Sequence, residues 1–343
     1  MNAIAQAPVT PGFEAYPLPG SACEGTFDIP GEFALHHGGT LTAVRVGWRM
    51  VGPEHAPVVC ALGGISASRR VCLTEKPRES WWQEVAGPGR PLDTERFRVL
   101  SFDFLGGSGE TSGPAPGETF PSVSTYDQAE VLLRLIDHLG VRSLRAIAGG
   151  SYGGMVALAF AERYPERVGR LIVLCATDRP HPLGTAWRSV QRDIVRLGIE
   201  SGRAREALAL ARALAMSTYR TGEEFQARFE GLPVLDEGRF RLPVERYLHA
   251  RGEDYALRNR PEAFLCLSES IDLHRVDAAR ICVPTAAVAV REDMLVPLTD
   301  VRGMVARLHS ARLHEISSIY GHDAFLKESQ QLHGVFAAAL DSH

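Results

Sequence analysis

The segment "RAIAGGSYGGMVALAFAERYP", residues 145–165, passes from a short apolar run through two pairs of glycines into an alanine-rich stretch of helical pattern. So short and apolar a run suits a strand covered on both faces, and the continuation suits a packed helix. Between them, Gly149-Gly150-Ser151-Tyr152-Gly153 satisfies G-x-S-x-G in the strand-to-helix context that gives the motif its meaning. Small residues on either side let Ser151 occupy a strained turn with its hydroxyl exposed. The same turn aims the free N–H groups of a helix start at any anion formed beside it. Ser151 is therefore a candidate nucleophile.

Outward from this turn the chain is rhythmic. "LTAVRVGWRM" (41–50) alternates apolar and polar residues like a half-buried strand, whereas "PVVCALGG" (57–64), "FRVLSFDFLG" (97–106), "RLIVLCAT" (170–177) and "VPTAAVAVRED" (283–293) are nearly continuous apolar runs closed by glycine or polar residues. "STYDQAEVLLRLIDHLG" (124–140) places Leu132, Leu135, Ile136 and Leu139 at helical spacing, with Ser/Thr before and Gly140 after. Strands alternating with helices predict a mostly parallel sheet flanked by helices, with functional residues at the carboxyl ends of strands. Residues 180–280 break the rhythm with helical compositions and no clear strand, which predicts a helical lid inserted in a core of 41–179 and 281–343. The Pro/Ala/Gly-rich start predicts an N-terminal extension over 1–40.

Composition narrows the function. The 343 residues are 45% hydrophobic and 23% charged with a net charge of -4, so the basic excess a nucleic-acid binder needs is missing. The six cysteines form no C-x-x-C pair and read as reduced core thiols; no Cys/His cluster or H-E-x-x-H suggests a metal. The first residues show no basic start followed by an apolar stretch, and no later run is long enough to span a membrane. A cytoplasmic protein with no nucleic-acid or membrane partner is expected.

A serine hydroxyl needs a base, and the base needs an orienting acid. In α/β-hydrolase chains both follow the serine, each after a late strand. Asp293 ends the run 283–293 and His322 ends "RLHEISSIYGHDAF" (312–325), giving the order Ser151, Asp293, His322, with Glu292 as the competing acid. An oxyanion site would use the backbone N–H of Tyr152 and one from "CALGGIS", where Leu62 and Gly63 are the candidates.

With these residues in place, the chain resembles the homoserine O-acyltransferases of the α/β-hydrolase superfamily. The resemblance rests on "WWQEVAGPGRPLDTERFRVLSFDFLG", "FPSVSTYDQA", "GGSYGGMVALAFAERYPERV", "VERYLHARGEDY", "EDMLVP" and "GHDAFL". It implies an α/β-hydrolase fold and a catalytic Ser151, Asp293 and His322. No cofactor is implied to stay bound; acyl-CoA is the co-substrate, homoserine the acceptor and a homodimer the assembly. The acceptor's amino group is implied to meet Asp323 and its carboxylate Arg212, with Arg220 as the rival. Tyr152, Met294 and Asp103 depart from the family's usual Met, Trp and Asn, which touches the expected acyl pocket. A succinyl donor is weakly favoured over acetyl, because Arg69 or Arg70 could meet its second carboxylate. Homoserine O-acetyltransferase, serine O-acyltransferase and a serine esterase or lactonase remain as alternatives.

Overall fold

The computed structural model describes residues 22–76 and 79–341. Eight strands build one sheet: β1 (Cys23–Ile29), β2 (Val44–Val51), β3 (Val58–Leu62), β4 (Arg98–Phe102), β5 (Ala146–Gly150), β6 (Leu171–Leu174), β7 (Thr285–Val290) and β8 (Ala311–Ile316). Their spatial order is β1-β2-β4-β3-β5-β6-β7-β8. The pairs β1/β2 and β2/β4 are antiparallel and the others parallel. The continuous apolar runs fall at the centre, where β5 and β6 are buried throughout, because helices cover both faces there.

Helix α1 (Thr125–His138) begins where Ser124 and Asp127 exchange capping hydrogen bonds, and Gly140 follows its end at φ 69°. Its Leu132, Leu135 and Ile136 join Val156 and Phe160 of α2 (Tyr152–Arg163) in the core on one side of the sheet. On the other side, Trp82 packs with Leu332, Val335 and Phe336 of the C-terminal helix, Ser329–Asp341. Each buried Leu or Phe side chain contributes about 1.5–3 kcal/mol.

The lid segment carries α3 (Pro182–Glu200), α4 (Ala204–Tyr219), α5 (Gly222–Arg228), α6 (Pro243–Ala256) and α7 (Pro261–Asp272). Val195, Leu208, Ala211, Tyr255 and Phe264 bind α3, α4, α6 and α7 into a small core of their own. Two expectations are corrected. The stretch taken as an extension over 1–40 contains β1, which pairs along its whole length with β2; residues 1–21 lie outside the described residues. The segment 180–280 also contains a hairpin, Val234–Asp236 with Arg239–Arg241, turning at Glu237 and Gly238, both at positive φ. Its strands are too short and too exposed for an alternating pattern to show in sequence.

Candidate active site

Ser151 stands between β5 and α2 at φ 53° and ψ −121°, a strained conformation for a residue with a side chain. Holding it costs roughly 1–3 kcal/mol, which the surrounding packing must supply. The chain passes so tightly that a Cβ on Gly149 would lie 2.2 Å from the Gly153 carbonyl oxygen, and one on Gly153 would lie 2.3 Å from that of Leu62. The glycines are there for clearance. Ser151 N–H donates to the Leu174 carbonyl at 2.9 Å, tying the turn to β6.

The sequence-predicted residues meet at this turn. His322, buried in a short 3-10 turn (Gly321–Asp323) beyond β8, lies with Nε2 2.9 Å from Ser151 Oγ and Nδ1 2.7 Å from Asp293 Oδ2. Asp293 follows β7, and its other oxygen accepts the N–H groups of Leu295 and Val296, so the carboxylate cannot swing away. Glu292 turns elsewhere, accepting from Ser317 Oγ and Ser318 N–H. Burial opposes charging of the His322 imidazole, but the charge and hydrogen bond of Asp293 outweigh it and raise its pKa above the ordinary value.

Trp82, stacked on Trp81, ties down the segment that carries His322. Trp82 Nε1 donates to the Phe325 carbonyl at 2.8 Å, and the Phe325 ring presses so closely on Gly150 that a Cβ there would sit 2.4 Å from it. Cys175, Asp293 and His322 form the one group of three potential metal ligands among the described residues, with ligand atoms within 4.8 Å of one another. Asp293 and His322 are spent on each other there, and burial first, then the Asp293 charge, pushes the Cys175 thiol pKa well up.

Ser151 and His322 open into a cavity of about 180 Å³ whose wall includes Arg188, Arg212, Asp323, Trp81 and Trp187. Arg212 makes no ion pair among the described residues; it lies over the rings of Tyr219 and Tyr255 at 5.2 and 4.8 Å and reaches Tyr219 Oη at 3.3 Å. Its rival Arg220 is committed, at 2.7 Å to Glu224 and 3.2 Å to Asp323. Arg188 was not foreseen. Asp272 accepts from both Arg188 and Arg192 at 2.6 Å and holds the Arg188 guanidinium at the cavity wall.

The site sits on a chain whose residues 57–329 match the α/β hydrolase fold family. The homoserine O-succinyltransferase of Xanthomonas campestris pv. campestris is 42% identical over 299 residues, covering 87% of this chain and 79% of that protein. The homoserine O-acetyltransferase of Thermus thermophilus is 37% identical, covering 77% of this chain and 72% of the relative. The chain belongs to the homoserine O-acyltransferase family. A solved homoserine O-acetyltransferase from Bacillus anthracis superposes with a TM-score of 0.84 at 19% identity, covering 94% of this chain and 98% of that one. Esterase E22 does so equally well, with a TM-score of 0.84 at 20% identity, covering 94% and 100%; these two likenesses bear on the fold alone.

Within this homoserine O-acyltransferase framework, the departures from the family pattern take on physical meaning. Tyr152 does not face the cavity: its side chain is buried, with Oη 2.6 Å from Ser270 Oγ on α7 and its ring against Phe104. Met294 is 45% exposed and is not part of the wall around Ser151. Asp103 is a buried carboxylate answered by Arg69, whose Nη1 lies at 2.6 Å and whose backbone N–H donates at 2.8 Å. Arg69 is thereby consumed, which removes it as a partner for a donor carboxylate, and Arg70 pairs outward with Glu79 at 2.7 Å. Leu62 ends β3 beside Gly149; the next carbonyl, of Gly63, accepts from Gly153 N–H at 2.9 Å and locks this loop to the first turn of α2. Tyr152 is the first residue of α2, where backbone N–H groups have no partner within the helix.

Proposed function

We propose that the protein transfers an acyl group from acyl-CoA to the hydroxyl of homoserine through an acyl-serine intermediate. The observation that carries this reading is the 2.9 Å approach of His322 Nε2 to Ser151 Oγ, in a cavity that also presents Arg212 and Asp323. His322 takes the Ser151 proton as Oγ attacks the thioester carbon; the C–S bond then breaks, and the same proton goes to the departing thiolate. Homoserine next gives its hydroxyl proton to His322, its oxygen bonds to the acyl carbon, and Ser151 leaves with the proton returned. The N–H groups of Leu62 and Tyr152 stabilise the two tetrahedral oxyanions, each donor contributing about 3–4 kcal/mol.

Arg212 holds the acceptor carboxylate and Asp323 its ammonium, as a free guanidinium and a cavity-facing carboxylate would. Arg188 supports a succinyl donor, since it is the second guanidinium at the wall and Asp272 keeps it aimed. The homoserine O-succinyltransferase relative at 42% identity supports the same choice. We place the reaction in methionine biosynthesis in the cytoplasm; among the described residues, no helix is long and apolar enough to cross a membrane. A second copy of the chain covers the exposed hairpin, where Leu235 lies opposite Phe240 at 63% and 66% exposure.

A matrix of acetyl-CoA and succinyl-CoA against homoserine and serine, with products identified by mass, tests this reading. The expected result is O-succinylhomoserine as the main product. If CoA release ignored both amino acids while simple esters were cleaved rapidly, the protein would be a hydrolase.

A further inference from the structure

Helix α7, the last of the insertion, is bonded both to the nucleophile turn and to a guanidinium at the wall of the Ser151 cavity, through residues only two positions apart. Residues so spaced on a helix point to nearly opposite sides. On the core side, Ser270 Oγ lies 2.6 Å from Oη of Tyr152, the residue after the nucleophile, and both side chains are buried. On the other side, Asp272 accepts from three residues of α3: Thr185 Oγ1 at 2.7 Å, Arg188 Nη2 at 2.6 Å and Arg192 Nη1 at 2.6 Å. Of these three, Arg188 lines the cavity.

Between its two faces α7 has little freedom to bend or slip. A Cβ on Gly106, in the loop after β4, would lie 2.5 Å from Cys266 Sγ. Before the helix, Arg260 donates to Ser108 Oγ at 2.9 Å and to the Gly107 carbonyl at 2.8 Å. Just past its end, His274 Nε2 donates to the Thr177 carbonyl at 3.1 Å, which leaves Nδ1 to accept from Thr125 Oγ1 at 2.7 Å. These contacts tie α7 to the loops after β4 and β6 and to the start of α1. Among the described residues, the Tyr152–Ser270 bond is the one side-chain hydrogen bond between α7 and α2, the helix that Ser151 precedes. The Tyr152 ring stands edge-on to Phe104 at 4.9 Å, which fixes the direction of its hydroxyl. A buried hydroxyl that loses its single partner is left unsatisfied, so the two groups hold each other at a set distance.

We propose that Tyr152, acting through Ser270 and the body of α7, is a positioning residue that sets where Arg188 stands relative to Ser151, and so favours acyl groups that end in a carboxylate. This inference rests on Arg188 meeting such a carboxylate, as in the proposed transfer of a succinyl group.

The test measures acylation of Ser151 by the succinyl and butyryl thioesters of N-acetylcysteamine, followed as thiol release in the full-length protein without homoserine. The ratio of kcat/KM for the two reports the terminal carboxylate. In the wild type the succinyl thioester is favoured, and Arg188→Leu removes the preference. Ser270→Ala and Tyr152→Phe each lower the ratio about fivefold or more, and in the Arg188→Leu background neither lowers it further. Urea unfolding shows that the variants compared are folded, and either of the two is enough to decide. A wild-type ratio in the folded variant, or an equal loss with both thioesters, makes the bond merely structural and overturns the proposal. Equal ratios for the wild type and Arg188→Leu overturn the role of Arg188 itself, and the proposal with it, so the two failures are told apart.

Discussion

At the scale of single residues, the proposed base His322 can accept a proton only while neutral, and its surroundings set the pH at which that holds. Burial resists its charging, yet the Asp293 carboxylate prevails and the pKa rises above the usual 6.5. A raised pKa means the imidazole is charged, and unable to take the Ser151 proton, across a range that begins above 6.5 and extends downward. The acid limb of kcat/KM for the thioester is therefore expected to have its midpoint above that value. In Asp293→Asn the midpoint moves down and kcat falls roughly 10³- to 10⁴-fold. A limb that stays in place would mean that Asp293 does not govern the imidazole. Ser151 and His322 could be read from sequence because the strand-to-helix context and chain order define them. Asp293 is chosen by the same chain order, with its neighbour Glu292 left as a competitor, since adjacent carboxylates after one strand differ in where the turn points them. Arg188 was invisible for another reason: what singles it out is Asp272, 84 residues further along the chain.

At the scale of elements, the close approach of β2, β4 and the loop after β3 depends on one buried pair. A Cβ on Gly47 of β2 would lie 3.1 Å from Asp103 Oδ2 and 3.3 Å from Arg69 Nη1, so strand and ion pair share one tight space. Truncating one member of a buried pair strands the other's charge, a loss of about 3–5 kcal/mol, whereas replacing both removes the problem. Arg69→Leu should lower the urea-unfolding free energy by about that amount, and adding Asp103→Asn should recover much of it. If Arg69→Leu unfolds like the wild type, the pair does not hold this corner. The central strands were legible as apolar runs because helices cover both faces. β1 was not, since it lies at the sheet edge with alternate residues half exposed, and the residues before it gave a Pro- and Gly-rich impression. The hairpin at 234–241 escaped because three-residue strands carry too little pattern.

At the scale of the molecule, the sheet fixes Ser151, His322 and Asp293 beyond the ends of β5, β8 and β7, while the inserted helices bring Arg188 and Arg212 over them. In the proposed reaction, catalytic geometry comes from the rigid layer and acceptor recognition from the insertion. The hairpin at its outer edge exposes Leu235 and Phe240, and an isolated two-stranded ribbon is marginal in water without cover. Sedimentation should therefore find a dimer, and Leu235→Glu with Phe240→Glu should give monomers; a wild-type monomer would remove the second copy from the account. The central claim is that Ser151 carries the acyl group between donor and acceptor. Intact-protein mass spectrometry after mixing with succinyl-CoA alone tests it most directly. One added acyl group, mapped to the peptide containing Ser151, lost when homoserine is supplied and absent from Ser151→Ala, is the expected result. Product formation by Ser151→Ala at the wild-type rate, with no adduct on either protein, would contradict it.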